Sequence, residues 1–102
     1  METLTNVATA SFLTNGTFYS VDATSKAIDI LLDDLGTTPI GTEFTFFAKN
    51  LTNPITFSPN AGSTIISENG YRSMYGTGSA ATAKLIGDGP ATWALIGSLK
   101  TS

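Results

Sequence analysis

The chain has 102 residues, with 41% hydrophobic and only 13% charged residues and a net charge of −3, so it holds one domain with a modest core. It has no cysteine and no histidine, which excludes disulfide stapling, thiolate zinc sites and the commonest general base and metal ligand. Its five lysines and arginines form no cluster, so neither nucleic acid nor an anionic membrane surface is expected as a partner.

Residues 1 to 11 are small and polar, with Leu4 and Val7 isolated among them. They read as an extended N-terminal arm, free to dock on a partner, ahead of a single domain over residues 12–102. The segment has no cationic stretch followed by an apolar run, and nowhere do about 18 apolar residues run together. A secretory or membrane route is therefore not expected.

Asn15-Gly16 is a turn dipeptide. Thr17-Phe18-Tyr19-Ser20-Val21 follows as a strand of aromatic and β-branched residues. Ser25 to Gly36 fits two templates. Ile28, Leu31, Leu32 and Leu35 have helical spacing, between Ser25 as a cap and Gly36 as a stop. Ile28, Ile30 and Leu32 also alternate with Asp29, Leu31 and Asp33, as in a strand. Periodicity does not decide, and the neighbouring strands favour the second template. Gly36-Thr-Thr-Pro39 is a loop.

Thr42 to Lys49 is the clearest strand. Phe44, Phe46 and Ala48 share one face, while Glu43, Thr45, Phe47 and Lys49 share the other. Phe47, an aromatic on the polar face, implies a neighbour over that face. Ile55 and Phe57 mark a further strand after Pro54, and Thr64-Ile65-Ile66 another. Tyr71-Arg72-Ser73-Met74-Tyr75 groups residue types enriched in interface cores. Ala80 to Leu99 reads as a hairpin turning at Gly87-Asp88-Gly89-Pro90. Ala81, Ala83 and Leu85 lie on one face of its first arm, Trp93 and Leu95 on one face of its second. Seven or eight short strands about ten residues apart define a compact all-β sandwich or barrel, mostly antiparallel. No solenoid-type repeat is visible. The expected core is Phe44, Phe46, Ile55, Phe57, Ile65, Leu85, Trp93 and Leu95.

The closing Trp93-x-Leu95-x-Gly97-x-Leu99, with Gly41-Thr-Glu-Phe-Thr-Phe-Phe47, Pro54-Ile-Thr-Phe-Ser-Pro59 and Gly62-Ser-Thr-Ile-Ile66 upstream, resembles small β-rich modules of tailed-bacteriophage virion proteins. The resemblance covers roughly residues 17 to 99. It implies an apolar strand within residues 25–36, a structural role in the virion, and a homotrimer, since such modules commonly sit on threefold positions. A stand-alone chain of this length points to a capsid decoration (cement) protein on the outer head surface. It would be made in the host cytoplasm and bound to the major capsid protein. A tail-fibre or tail-tip module binding host glycans, or a tail or neck adaptor, is the alternative. Candidate contacts with partners or further copies are Leu4, Val7, Phe12, Phe47, Tyr71, Arg72, Met74 and Tyr75.

Little in the chain suggests catalysis. Asp33 and Asp34 point to opposite faces if they lie on a strand, and Asp29 does not complete a calcium-loop series. The serines have no histidine to activate them, and Gly-x-Ser-x-Gly is missing. Asn15-Gly-Thr17 and Asn50-Leu-Thr52 fit the glycosylation pattern, which is idle without a secretory route. We expect no enzyme activity, no cofactor and no metal.

Overall fold

The computed structural model describes residues 2–10, 13, 16–33, 40–60, 62–88 and 91–101, with the backbone alone at Glu2 and Asp88. Its described residues form eleven strands. In chain order these are β1 (Glu2–Leu4), β2 (Ala8–Thr9), β3 (Phe18–Asp22), β4 (Ile28–Leu32), β5 (Glu43–Asn50) and β6 (Ile55–Pro59). They continue as β7 (Thr64–Ser67), β8 (Ser73–Met74), β9 (Ala80–Asp88), β10 (Ala91–Gly97) and β11 (Leu99–Lys100). A 3-10 turn, Glu68–Gly70, follows β7.

Two sheets face each other as a sandwich, one of six strands in the order β1-β3-β5-β9-β10-β7 and one of five in the order β11-β8-β6-β4-β2. Up to β9 the chain changes sheet at every strand. Successive strand pairs therefore stack as coils, β1–β2 under β3–β4 under β5–β6. Neighbours within the stack run parallel because each coil travels the same way round. β8 and β9 reverse direction against β6 and β5. The hairpin β9–β10 then extends the six-stranded sheet, and β7 pairs parallel to β10 at its far edge.

The all-β sandwich is the expected class, with two differences in detail. Strand direction is mixed, with five parallel and four antiparallel ladders. The chain also has a coil repeat: the same offset separates Tyr19 from its partner Phe46 as separates Ile28 from its partner Ile55. The coil below is shorter, pairing Glu2 with Tyr19 and Ala8 with Ile30, so no constant period marks the repeat.

The N-terminal arm is not free-standing. β1 pairs with β3, β2 pairs with β4, Ala8 and Ala10 are buried, and Leu4 packs against the core. Leu4, Ala8 and Ala10, turned inward, are enough to seat this short coil. Residues 28–32 are strand, with Ile28, Ile30 and Leu32 fully buried. Their helical spacing loses because a strand puts these three on one face and leaves half-buried Asp29 and Leu31 on the other.

The inner faces build one core. Tyr19, Phe44, Phe46, Trp93 and Leu95 come from the larger sheet and meet Ile28, Ile30, Ile55, Phe57 and Met74 of the smaller. Phe46 stacks on Tyr19 with ring centroids 5.9 Å apart and meets Phe57 edge-on at 5.4 Å, an arrangement aromatic pairs favour. Phe44 lies 5.9 Å from Trp93. The Trp93 indole donates its Nε1 proton to the Asp33 carbonyl at 3.1 Å, so its one polar atom is satisfied inside. All eight expected core residues are buried.

The corners between sheets repeat as well. After β3, the Thr24 N–H (3.1 Å) and hydroxyl both donate to Asp22 Oδ1. After β5, the Thr52 N–H and hydroxyl donate to Asn50 Oδ1 at 2.8 and 2.6 Å. The same Asx-type turn thus ends both strands. Asn53 ties the two corners, its backbone N–H and Nδ2 both reaching the Ala23 carbonyl, at 3.0 and 2.9 Å. The glycosylation-like Asn50-Leu-Thr52 is accordingly a folding corner.

Candidate interaction surface

Each sheet has one outward face, and the two faces differ in chemistry. On the five-stranded sheet the outward side chains include Thr9, Asp29, Thr56, Ser58 and Ser73. They bond one another: the Ser58 hydroxyl donates to Asp29 Oδ1 at 2.8 Å, and Thr56 and Ser73 share a bond at 3.3 Å. Leu31 is its one large apolar residue, half-buried beside Thr9.

The six-stranded sheet presents apolar groups outward. Four of the seven exposed large apolar side chains among the described residues lie here: Phe18 (41% exposed), Ile66, Ile86 and Ile96 (64%). Half-buried Phe47 stacks on Phe18 with centroids 6.1 Å apart. Thr3, Phe18, Ser20, Phe47 and Lys49 line a cleft of about 380 Å³ beside this stack. Register fixes the layout. Ser20, Phe47 and Ala80 form one row across β3, β5 and β9, and Phe18, Thr45, Thr82 and Ile96 form the next, continued onto β10. Thr45 and Thr82 are hydrogen-bonded at 3.2 Å. Glu43 and Lys84 are neighbours in the third row.

The expected contact residues scatter across this architecture. Phe47 lies in the apolar face, as its position on the polar side of β5 implied. Leu4 is half-buried against the core, Val7 is exposed, and Phe12 lies outside the described residues, as do Asp34 and the Gly89-Pro90 turn. Met74 is a core residue, fully buried on β8, so it is removed from the contact set. Tyr71 and Arg72 are half-buried beside β8, outside any strand, and Tyr75 is exposed. Tyr71 borders a second cleft of about 240 Å³ with Glu68, Leu95, Ile96, Gly97 and Leu99. Phe18, Ile66, Ile86 and Ile96 were missed. The available signal was their pairing with an inward neighbour, Phe18 beside Tyr19, Ile66 beside Ile65 and Ile96 beside Leu95. An apolar residue on both faces marks a strand covered on both sides.

Among the described residues no group of three or more acidic side chains is arranged to hold a metal ion. Asp22 accepts both Thr24 bonds at the corner after β3. The Thr24 hydroxyl, and then the Thr24 N–H, hold its carboxyl below the ordinary value of 3.8, against a smaller opposing effect of desolvation, with Lys49 adding the least. The shift belongs to the corner turn. No protein-family model matches the chain, and no curated protein matches it.

Proposed function

We propose that this chain is a structural module that works by association, and that it serves as a decoration (cement) protein on the head shell of a tailed bacteriophage. One observation carries the association part. The core between the sheets is already filled, yet one outer face carries aromatic and aliphatic side chains while the opposite face is polar and internally bonded. Grouped exposed apolar residues on a filled domain mark a contact surface. The virion assignment rests on the resemblance of the Trp93–Leu99 and Gly41–Phe47 segments to phage modules. Its partners are further copies of the chain and the major capsid protein.

Quantifying the protein in purified particles tests the assignment. Hundreds of copies per particle are expected for a head decoration. A few to a few dozen would replace it with the tail-module or adaptor reading, and complete loss from washed particles would remove the virion role.

A further inference from the structure

We infer that a second copy of this chain packs on the outer face of the six-stranded sheet, the two copies contributing the same face about a two-fold axis. The inference rests on the reading of this face as a contact surface and goes beyond it by naming the occupant.

The register makes the face self-complementary. Consider an axis parallel to the sheet plane, midway between the two copies, running along the strands and above the gap between β5 and β9. It lays β5 of one copy over β9 of the other, and β3 over β10, with rows kept level. Phe47, the bulky member of its row, then sits over Ala80, the small one. Phe18 sits over Ile96, filling the cleft beside the Phe18–Phe47 stack. Glu43 lies opposite Lys84, and Thr45 opposite Thr82. Bulk meets space, apolar meets apolar, and opposite charges meet, all from one operation. Sheets packed face to face stay within about 30° of alignment, which keeps these central rows in contact.

The area is sufficient. Six strands about 4.8 Å apart and some 20 Å of strand length give a face of roughly 500 Å². Two such faces bury about 1,000 Å², the lower end for a specific pair. A contact of this size gives a reversible, concentration-dependent dimer. A face that meets itself closes in pairs, so this contact stands against the homotrimer implied by the resemblance, and oligomer order decides between them.

Sedimentation equilibrium on the purified chain, from micromolar to millimolar concentration, should show monomer and dimer only. Ile96→Glu and Phe18→Lys should each weaken dimerisation at least tenfold. Both positions are exposed, so melting curves should show that both variants remain folded. Within one chain the two positions are three strand spacings apart, about 14 Å, too far to pair internally. Mixing the two variants should therefore restore dimers, because one interface contact becomes an ion pair and its symmetry mate stays native. A monomer at millimolar concentration, a trimer, variants that dimerise as the parent does, or a mixture that stays monomeric would each overturn the inference. None of these outcomes bears on particle copy number, so the virion assignment stands or falls separately.

Discussion

Gly97→Ala is predicted to be among the most damaging single-methyl additions to this chain. Gly97 ends β10 opposite Ala81, where the chain leaves the larger sheet. From there the Ser98 N–H reaches the Ala80 carbonyl and the Ser98 carbonyl accepts from the Tyr75 N–H, each at 3.1 Å, leading into β11 on the other sheet. That exit needs a φ of +143°, which a side chain resists, at a cost of about 1–3 kcal/mol. It also brings backbone against backbone. A Cβ at Gly97 would lie 2.3 Å from the Ala80 oxygen and 2.6 Å from the Ala81 Cα, where ordinary contact begins at 3.4 Å. Neither obstacle is a flexible side chain, so the hairpin itself must shift, at about 1–3 kcal/mol for overpacking. The sum, about 2–6 kcal/mol, is a large part of the roughly 5–15 kcal/mol that holds a domain of this size. At about 4–8 °C per kcal/mol the melting temperature should fall by at least about 8 °C. Gly78→Ala is the control. Its φ is +91°, but nothing lies within 4 Å of the added methyl, so it carries the backbone term alone. Thermal melting followed by circular dichroism reads both. If the two variants melt together, or Gly97→Ala melts within about 3 °C of the parent, the close-approach argument is wrong.

Four further outcomes are expected. Trp93→Ala should cost about 3–5 kcal/mol, while Trp93→Phe, which removes the indole bond to the Asp33 carbonyl, should cost about 1 kcal/mol; denaturant titrations that fail to rank them so would remove Trp93 from the centre of the core. Asn53→Ala loses the side-chain bonds to the Ala23 and Thr24 carbonyls and should destabilise by about 1–3 kcal/mol; an unchanged midpoint would mean the corners are not tied through it. Because the folded pKa of Asp22 is depressed, its contribution is present above about pH 4 and lost as pH falls through the folded value. Asp22→Asn keeps the turn that Asn50 makes in the next coil and should flatten that part of the melting profile, whereas equal acid sensitivity in both proteins would contradict this. Deleting residues 2–9 removes β1 and β2 and uncovers the side chains beneath, with a loss of about 2 kcal/mol or more for Leu4 and its surroundings; unchanged melting would return these residues to the status of a loose arm.

The hairpin and the core were legible because both depend on local alternation. Ala81, Ala83 and Leu85 against Trp93 and Leu95 declare one inward face, and the structure buries all five. Alternation tells which way a side chain points and says nothing about which strand lies alongside. Parallel pairing therefore went unread: the usual signal for it is an intervening helix, and here short corners carry the chain to the opposite sheet instead. β2 has two residues, below the length at which any period shows. In the contact surface, Phe47 stood out as an aromatic among polar neighbours. Ile96 did not, because Phe18 and Thr45, the far members of its row, come from distant parts of the chain and share that row only through register.

The alternation of strands between sheets also sets the order in which the molecule can form. Within the coil stack every neighbour is reached only after the chain has gone round the other sheet and returned. Among the described strands, β9 and β10 alone follow one another in sequence and pair with each other. Hairpins close in about 1–10 μs, whereas folds dominated by distant pairings take milliseconds to seconds. The Ala80–Gly97 hairpin is thus the natural nucleus, and β5 docks on it through the Phe46–Ala81 and Phe44–Ala83 pairs. β9 and β10 follow β5 in the chain, so during synthesis this nucleus emerges after it. Until then the β5 edge facing β9 has no partner, so an aromatic strand stays open while the chain emerges from β5 through β9.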